Sequence, residues 1–247
     1  MRLNVIGSSS EGNAYVIQND DEALLIEAGM RWTDIRRALG WNIRKVRGCL
    51  ITHEHGDHAA YAADLLRDGI DIYCSQGTAD GIRYRDERRR PRTISAGQQL
   101  TLGRFRILPF ATKHDSAEPL GFYINHPETG NVLFATDTYY LPATFQELST
   151  VMIECNYSLD ILQDNIEQGR IPQAVAKRTL ESHMSYANCH GALLANDLRR
   201  VRNIILLHLS PANSDAQAFS TGIQQATGCH TVAARPGLEM DINARPF

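Results

Sequence analysis

The stretch "LITHEHGDHAA" (residues 50–60) constrains this chain more than any other part of its sequence. It places His53, His55, Asp57 and His58 within six positions, directly after an apolar run. Crowded imidazoles and carboxylates gain little from one another in water, so the pattern predicts a metal site. In an extended segment, side chains two positions apart point to the same side, which lets His53 and His55 bind one cation together. Asp57 and His58 come where a helix is expected to begin, and can face a second point nearby.

Three further candidate ligands lie at the ends of predicted strands. "GRFRILPFATKH" ends at His114, "NVLFATD" ends at Asp137, and "NIILLHLS" carries His208. Layered α/β folds assemble their sites at strand ends, so we expect these side chains to meet His53. Mixed nitrogen and oxygen ligands in this number suit two divalent metal ions, with Zn²⁺ expected and Mn²⁺ or Fe²⁺ as alternatives. A turn role for Asp137 and a core role for His208 are the competing interpretations.

Apolar, β-prone runs alternate with helical patterns along the whole chain, which predicts an α/β class with mostly buried strands. Strands at 2–6 and 14–18 flank the turn "GSSSEGN", which either binds phosphate through its backbone or is a simple hairpin turn. "RWTDIRRALG" predicts a short helix with Thr33 as its N-cap. Further helices are predicted near 173–182 and 185–198.

Composition narrows the class of protein. A formal net charge of −3 gives no global attraction to nucleic acid or membrane, so any such binding must be local. Five scattered cysteines without a C-x-x-C pair argue against a zinc ribbon and fit reduced thiols. The N-terminus has no apolar signal core, and no run is long enough to span a bilayer. We therefore expect a cytoplasmic, soluble protein with no membrane partner.

The segment "RYRDERRRPR" (residues 83–92) is a local excess of positive charge. Asp86 and Glu87 dilute it. Two interpretations have equal weight: the segment contacts the phosphates of a nucleic-acid backbone, or it is only a solvated face. Its six arginines are Arg83, Arg85, Arg88, Arg89, Arg90 and Arg92.

The motif "THEHGDH" resembles the signature of the metallo-β-lactamase superfamily, whose members are four-layer αββα sandwiches with a dinuclear metal site. The resemblance covers nearly the whole chain and implies a single domain of this fold over residues 1–247. It implies two metal ions, the first bound by His53, His55 and His114, and the second by Asp57, His58 and His208, with Asp137 bridging both.

Within the superfamily, the chain is most similar to YycJ (WalJ)-type, exonuclease-like proteins. Their pattern is echoed by "GSSSEGN", "THEHGDH", "KHDSAEPLGFYI", "FATDT", "IECN" and "LESHMS". A more distant similarity to RNase Z implies a proton relay formed by Glu154 and His183. With Asp57, these two are the predicted catalytic residues.

The chain departs from that pattern at three positions. Glu27 stands where many members of the superfamily carry aspartate, Tyr157 where YycJ-type proteins usually have histidine, and Ser182 where glycine is commoner.

Lactam, thioester and phosphodiester hydrolysis all occur in the superfamily, so the reaction must be inferred from the site. Exported zinc β-lactamases have cysteine in place of Asp137. A Glu154–His183 pair supplies the proton that a leaving alkoxide needs. Ser185 caps a predicted helix whose N-terminus would favour phosphate.

We predict a metal-dependent phosphodiester hydrolase, a nuclease acting on DNA more than on RNA. Two metal ions would activate a hydroxide, and His183 would act as general acid. One alternative is a phosphodiesterase of the same fold for cyclic nucleotides or other small molecules. Another is a metal-stabilised binding protein without turnover. A homodimer is left open.

Overall fold

The computed structural model describes residues 1–84 and 87–244. Arg85 and Asp86 of the arginine segment lie outside the described residues. Within them, two seven-stranded mixed sheets are present. The first has the order β14-β1-β2-β3-β4-β5-β6, with strands β1 (Arg2–Ser9), β2 (Gly12–Gln18), β3 (Ala23–Ile26), β4 (Val46–Leu50), β5 (Ile72–Cys74), β6 (Arg92–Thr93) and β14 (Glu239–Asp241).

The second sheet has the order β13-β12-β11-β10-β9-β8-β7. Its strands are β7 (Leu100–Leu102), β8 (Phe105–Ala111), β9 (Leu120–His126), β10 (Gly130–Ala135), β11 (Leu148–Glu154), β12 (Asn203–Leu207) and β13 (His230–Ala233). The helices are α1 (Trp32–Ala38), α2 (Gly56–Ala59), α3 (Ala62–Arg67), α4 (Gln76–Gly81), α5 (Leu159–Glu167), α6 (Gln173–Ser182), α7 (Tyr186–Leu194) and α8 (Ala216–Thr227).

Side chains that alternate between the two faces of each strand form the layers of the fold. In β3, Leu24 and Ile26 pack into the core between the two sheets, whereas Ala23 and Leu25 face the helices on the outer side. Side chains of a strand alternate between its faces, so one strand contributes to two cores. α1 and α3 cover the outer face of the first sheet, and α7 and α8 cover that of the second. The predicted αββα sandwich is therefore confirmed.

The two sheets have related topologies that bring strand ends together. In each sheet an antiparallel meander continues into a run of parallel strands, β3 to β6 in the first and β10 to β13 in the second. The carboxyl ends of parallel strands share one edge of a sheet, where side chains of the following loops converge. The loops after β4, β10 and β12 carry His53, Asp137 and His208.

Some local predictions need correction. Thr33 is not an N-cap, because α1 begins at Trp32, its N-cap is Arg31, and no side chain caps it. The helix predicted at 185–198 ends at Leu194. Its predicted cap is confirmed, because Ser185 accepts a hydrogen bond from the Asn188 backbone N–H.

A candidate metal-binding active site

The "THEHGDH" motif runs from the end of β4 into α2, and glycine sets its position. The Ala28 N–H donates to the His58 carbonyl at 2.7 Å, and the Tyr61 N–H donates to the Ala28 carbonyl at 2.9 Å. A Cβ on Gly29 would lie 1.7 Å from the carbonyl oxygen of Asp57, which no side chain tolerates. Glycine at position 29 therefore allows the close backbone approach that places Asp57 and His58.

Three imidazole nitrogens converge on one point. His55 Nδ1 lies 3.1 Å from His53 Nε2 and 3.2 Å from His114 Nε2. Nitrogens bound tetrahedrally to one Zn²⁺ at 2.0–2.1 Å would be roughly 3.3 Å apart, so this spacing fits a single ion. The outer nitrogens are held elsewhere: His53 Nδ1 lies 2.9 Å from the Thr52 hydroxyl, and His114 Nδ1 donates to the Ser182 carbonyl at 2.9 Å. These contacts leave the Nε2 lone pairs directed inward.

The other predicted ligands form a second group beside the first. His58 Nε2 lies 3.2 Å from Asp57 Oδ2 and 3.5 Å from Asp137 Oδ2, and His208 Nε2 lies 3.3 Å from Asp57 Oδ2. Asp137 Oδ2 also lies 3.6 Å from His114 Nε2 in the first group. In each group the candidate ligand atoms all lie within 4.8 Å of one another. The structure thus brings all seven predicted ligands together, with Asp137 between the two groups.

The backbone is strained where it presents these side chains. Asp137 has a φ of 45°, His208 a φ of 51° and Glu27 a φ of 66°, in the left-handed region that non-glycine residues rarely occupy. Local contacts hold His208 in this conformation: its N–H donates to Ser8 Oγ at 2.9 Å, and its carbonyl accepts from Asn156 Nδ2 at 2.7 Å. Such conformations persist only where the surroundings enforce them, and they concentrate at functional sites.

Burial and the charges within the ligand cluster shift the pKa values of its members. Burial lowers the pKa of His53 and of His114, which keeps both imidazoles neutral. Burial acts to raise the pKa of Asp57 and of Asp137, but neighbouring histidines, including His58 and His208 in both cases, outweigh burial and lower both pKa values. Burial acts to lower the pKa of His58, but the carboxylates of Asp137 and Glu27 outweigh burial and raise this pKa well above its usual range. Divalent metals bind neutral imidazoles and ionised carboxylates, so a bound cation would take the place of the His58 proton. The donor set and its spacing therefore fit a metal centre.

Glu154 and His183 form the predicted pair beside these groups. Glu154 ends β11 and is fully buried, and its Oε1 lies 2.7 Å from His183 Nδ1. Its other oxygen accepts the N–H groups of Thr138 at 2.8 Å and of Met184 at 3.1 Å. Burial acts to lower the pKa of His183, but the Glu154 carboxylate outweighs burial and raises this pKa to about 9. His183 Nδ1 lies 3.9 Å from Asp137 Oδ2, at the edge of the ligand cluster.

A cavity of about 340 Å³ is lined by six residues of the site: His55, Asp57, His114, Asp137, His183 and His208. Ser10 of the "GSSSEGN" turn lies on its wall. The hairpin predicted from this turn is confirmed, because β1 and β2 pair up to Ser9 and Gly12. Phosphate binding by its backbone stays a prediction.

Part of the arginine segment has structural partners. Arg89 donates from Nη1 to the carbonyl oxygens of Leu66 and Arg67 at the end of α3, and Arg92 Nη2 lies 3.0 Å from Asp71 Oδ2. The segment also borders a separate cavity of about 540 Å³, lined in part by Arg88, Arg89, Arg90 and Arg92. Contact with a nucleic-acid backbone stays a prediction for this segment.

Sequence reasoning missed the polar residues that orient the ligands. Thr52 donates its hydroxyl to Glu27 Oε1 at 2.6 Å while it contacts His53. Asn13 Nδ2 lies 3.1 Å from His58 Nε2. Asn13 and Asn156 stand inside the quoted "GSSSEGN" and "IECN" motifs, so those motifs carried a signal that residue-by-residue reasoning did not use.

Comparison with known proteins identifies the family. A family model described as the β-lactamase superfamily domain matches residues 23–209. The chain belongs to this family. It is thus a hydrolase of the metallo-β-lactamase fold, which confirms the resemblance found in the motifs.

Individual relatives of this β-lactamase superfamily member agree with that assignment. The chain is 26% identical to the exodeoxyribonuclease YycJ of Bacillus anthracis over 241 residues, which cover 91% of this chain and 88% of the relative. The solved structure of Zn²⁺-bound PqqB from Methylobacterium extorquens has a TM-score of 0.70 at 14% identity, covering 98% of this chain and 100% of that one. The short form of human tRNase Z has a TM-score of 0.62 at 14% identity, covering 98% and 99%. At such identities the solved structures establish the fold alone.

Proposed function

We propose that this chain is a metal-dependent phosphodiester hydrolase that cleaves DNA. The observation that carries the proposal is the 2.7 Å contact between His183 Nδ1 and Glu154 Oε1 at the edge of the converging ligand cluster. The alkoxide that leaves in phosphodiester hydrolysis must gain a proton, and an imidazole held by a buried carboxylate beside the metal ligands is placed to supply it. The 26% identity to an exodeoxyribonuclease over most of both chains supports DNA as the substrate.

The proposed metal ligands are divided as the two groups suggest. His53, His55 and His114 would hold one ion, and Asp57, His58 and His208 would hold the other. Asp137 belongs to the second group and lies 3.6 Å from His114 Nε2, so it would be the ligand that the two ions share. Zn²⁺ is the expected ion, and Mn²⁺ is the alternative. When bound, two such ions supply Lewis acidity that brings the pKa of water near neutrality and offsets charge on phosphoryl oxygens.

The chain's own residues then handle protons and position. Asp57 is ionised and its carboxylate is partly open to the cavity, so it accepts a hydrogen bond from the attacking water and orients it. Glu154 accepts the Nδ1–H of His183, which leaves the Nε2–H of the imidazolium for the leaving oxygen. His183 gives this proton up as the ester bond breaks.

Turnover of the His183→Ala variant tests this assignment. We expect kcat on a labelled DNA strand to fall about 10²–10⁴-fold. The content of bound metal should stay at the wild-type level, because His183 is not a proposed ligand. Wild-type turnover by this variant would refute the general-acid role.

The substrate panel should include 3′,5′-cyclic mononucleotides, because a cavity of about 340 Å³ also suits a single nucleotide. Faster hydrolysis of these than of DNA would favour the small-molecule alternative.

We also propose that residues 1–247 act as one domain, since a single core joins the two sheets. All five cysteines are free and buried, which supports an environment that keeps thiols reduced, the expected cytoplasm. Within residues 1–84 and 87–244, every helix lacks the length or the hydropathy that a bilayer span requires. Sedimentation measurements would test the homodimer that the sequence left open.

A further inference from the structure

A second cavity, of about 610 Å³, adjoins the catalytic one. His114 and Arg178 line both cavities, so a ligand can extend from one into the other. Its lining comes in part from α6 (Gln173–Ser182) and in part from the loop that follows β10. A volume of several hundred cubic ångströms is typical of pockets that hold organic ligands.

The loop after β10 exposes two neighbouring aromatic rings to this cavity. Tyr139 and Tyr140 are each 42% exposed, and their rings meet edge to face with centroids 6.2 Å apart. The backbone beneath them is held, because the Tyr139 N–H donates to the Lys113 carbonyl at 2.9 Å and Thr138 Oγ1 donates to the Tyr140 carbonyl at 2.9 Å. The rings thus stand two and three residues after Asp137 on an ordered backbone.

The α6 part of the lining adds positive charge. One face of α6 carries positions 174, 177, 178 and 181. Its two cations are Lys177 and Arg178. Lys113 is a third cation on the cavity wall. Glu181 lies 3.8 Å from Lys177, and Asp115 lies 3.0 Å from Arg178, so the three cations face two carboxylates. The charge on these walls is therefore positive by one.

We propose that this cavity binds unpaired nucleotides of the DNA strand next to the scissile phosphate. Their bases stack on Tyr139 and Tyr140, and their phosphates face Lys113 and Lys177. Exposed aromatic rings beside cations are the combination by which proteins hold single strands without reading sequence. The proposal rests on the proposed function, because the shared wall at His114 joins this cavity to the cluster where the phosphodiester is cleaved.

Binding of a fluorescein-labelled oligodeoxythymidine, followed by anisotropy, tests the proposal. The metal-loaded His183→Ala protein serves as background, so that the strand is not cut. Each base–aromatic contact contributes about 1–3 kcal/mol, so Tyr139→Ala with Tyr140→Ala should raise Kd roughly 30-fold or more. The matched control, Tyr139→Phe with Tyr140→Phe, keeps both rings and should bind within about twofold of the background. An alanine pair that binds as tightly as the background would overturn the proposal, as would a background protein that binds no oligonucleotide.

A base-free substrate separates strand binding from damage to the catalytic site. On methyl p-nitrophenyl phosphate, the alanine pair with His183 intact should keep its wild-type kcat/KM, while its KM for the oligonucleotide rises. Equal losses on both substrates would mean that the tyrosines support the catalytic site itself, and the proposal would be wrong. If the wild-type protein hydrolyses no phosphodiester but its strand binding depends on the rings, the proposed function fails and the nucleotide site stands.

Discussion

Substituting Gly29 by alanine tests how the chain positions Asp57 and His58. A Cβ at this position would lie 1.7 Å from the Asp57 carbonyl oxygen and 2.8 Å from the Asn13 backbone nitrogen. Real Cβ atoms essentially never approach another atom within 3.0 Å, so the strand end and α2 must separate by at least about 1.3 Å. Both of these contacts are backbone atoms, and no side chain can rotate away to relieve the clash.

The expected magnitude follows from this displacement. Overpacking of a rigid contact costs about 3 kcal/mol, which lowers Tm by roughly 6–12 °C in a chain of this length. Metal sites require ligands placed within about 0.5 Å, so a shift of about 1.3 Å at Asp57 and His58 should weaken metal binding at least about tenfold. Calorimetry of unfolding and titration of the metal-free protein with Zn²⁺ measure the two effects.

Gly56→Ala is the matched control for Gly29→Ala. Gly56 lies in the same motif, but a Cβ there meets no atom within 4 Å. Since it begins α2, alanine should leave Tm unchanged or raise it slightly. A wild-type Tm and metal affinity in Gly29→Ala would contradict this role of Gly29, as would an equal loss of metal in both variants.

Two further predictions concern residues around the site and far from it. Asn156→Ala removes the 2.7 Å hydrogen bond to the carbonyl of the strained His208, and should cost about 1–3 kcal/mol in urea unfolding and lower metal affinity roughly 10–100-fold. The second prediction concerns Glu22, which is buried. Burial acts to raise the pKa of its carboxyl group. Hydrogen bonds from Arg104 and His126 outweigh burial and lower this pKa to about 2. Because the folded pKa lies below the unfolded value of about 4.3, the stabilisation is complete above that pH and disappears as pH falls through about 2. The free energy of unfolding of Glu22→Gln should therefore be about 1–3 kcal/mol below that of the wild type at pH 7. This difference should disappear between pH 4 and 2. A difference that stays constant over this range would contradict the role of the carboxylate.

The sequence contained most of the candidate site because the ligands are chemically distinctive and stand where strands end. His53, Asp137 and His208 each follow an apolar run within three residues. The left-handed backbone at Asp137 and His208 could not be foreseen, because it is imposed by tertiary contacts such as that of Asn156. Polar residues of this kind look like ordinary turn residues until the ligands that they contact are known.

Other parts of the fold were missed although the sequence carried signals. α8 has Asp215 as an N-cap that accepts from the Ala218 N–H, and it ends at Gly228 in the left-handed conformation. Both are recognised helix boundary signals, and Phe219 and Ile223 supply a buried face at helical spacing. α5 has a weaker signal, because it packs in a small cluster with α6 away from the main cores.

The central claim is that seven side chains from distant parts of the chain hold two divalent ions. Anomalous diffraction from crystals of the metal-loaded protein, collected on both sides of the metal absorption edge, tests this most directly. We predict two peaks about 3.5–4 Å apart on either side of Asp137, one among His53, His55 and His114 and the other near His208. A map with no peak beside Asp137 in a protein shown to contain bound metal would contradict the account.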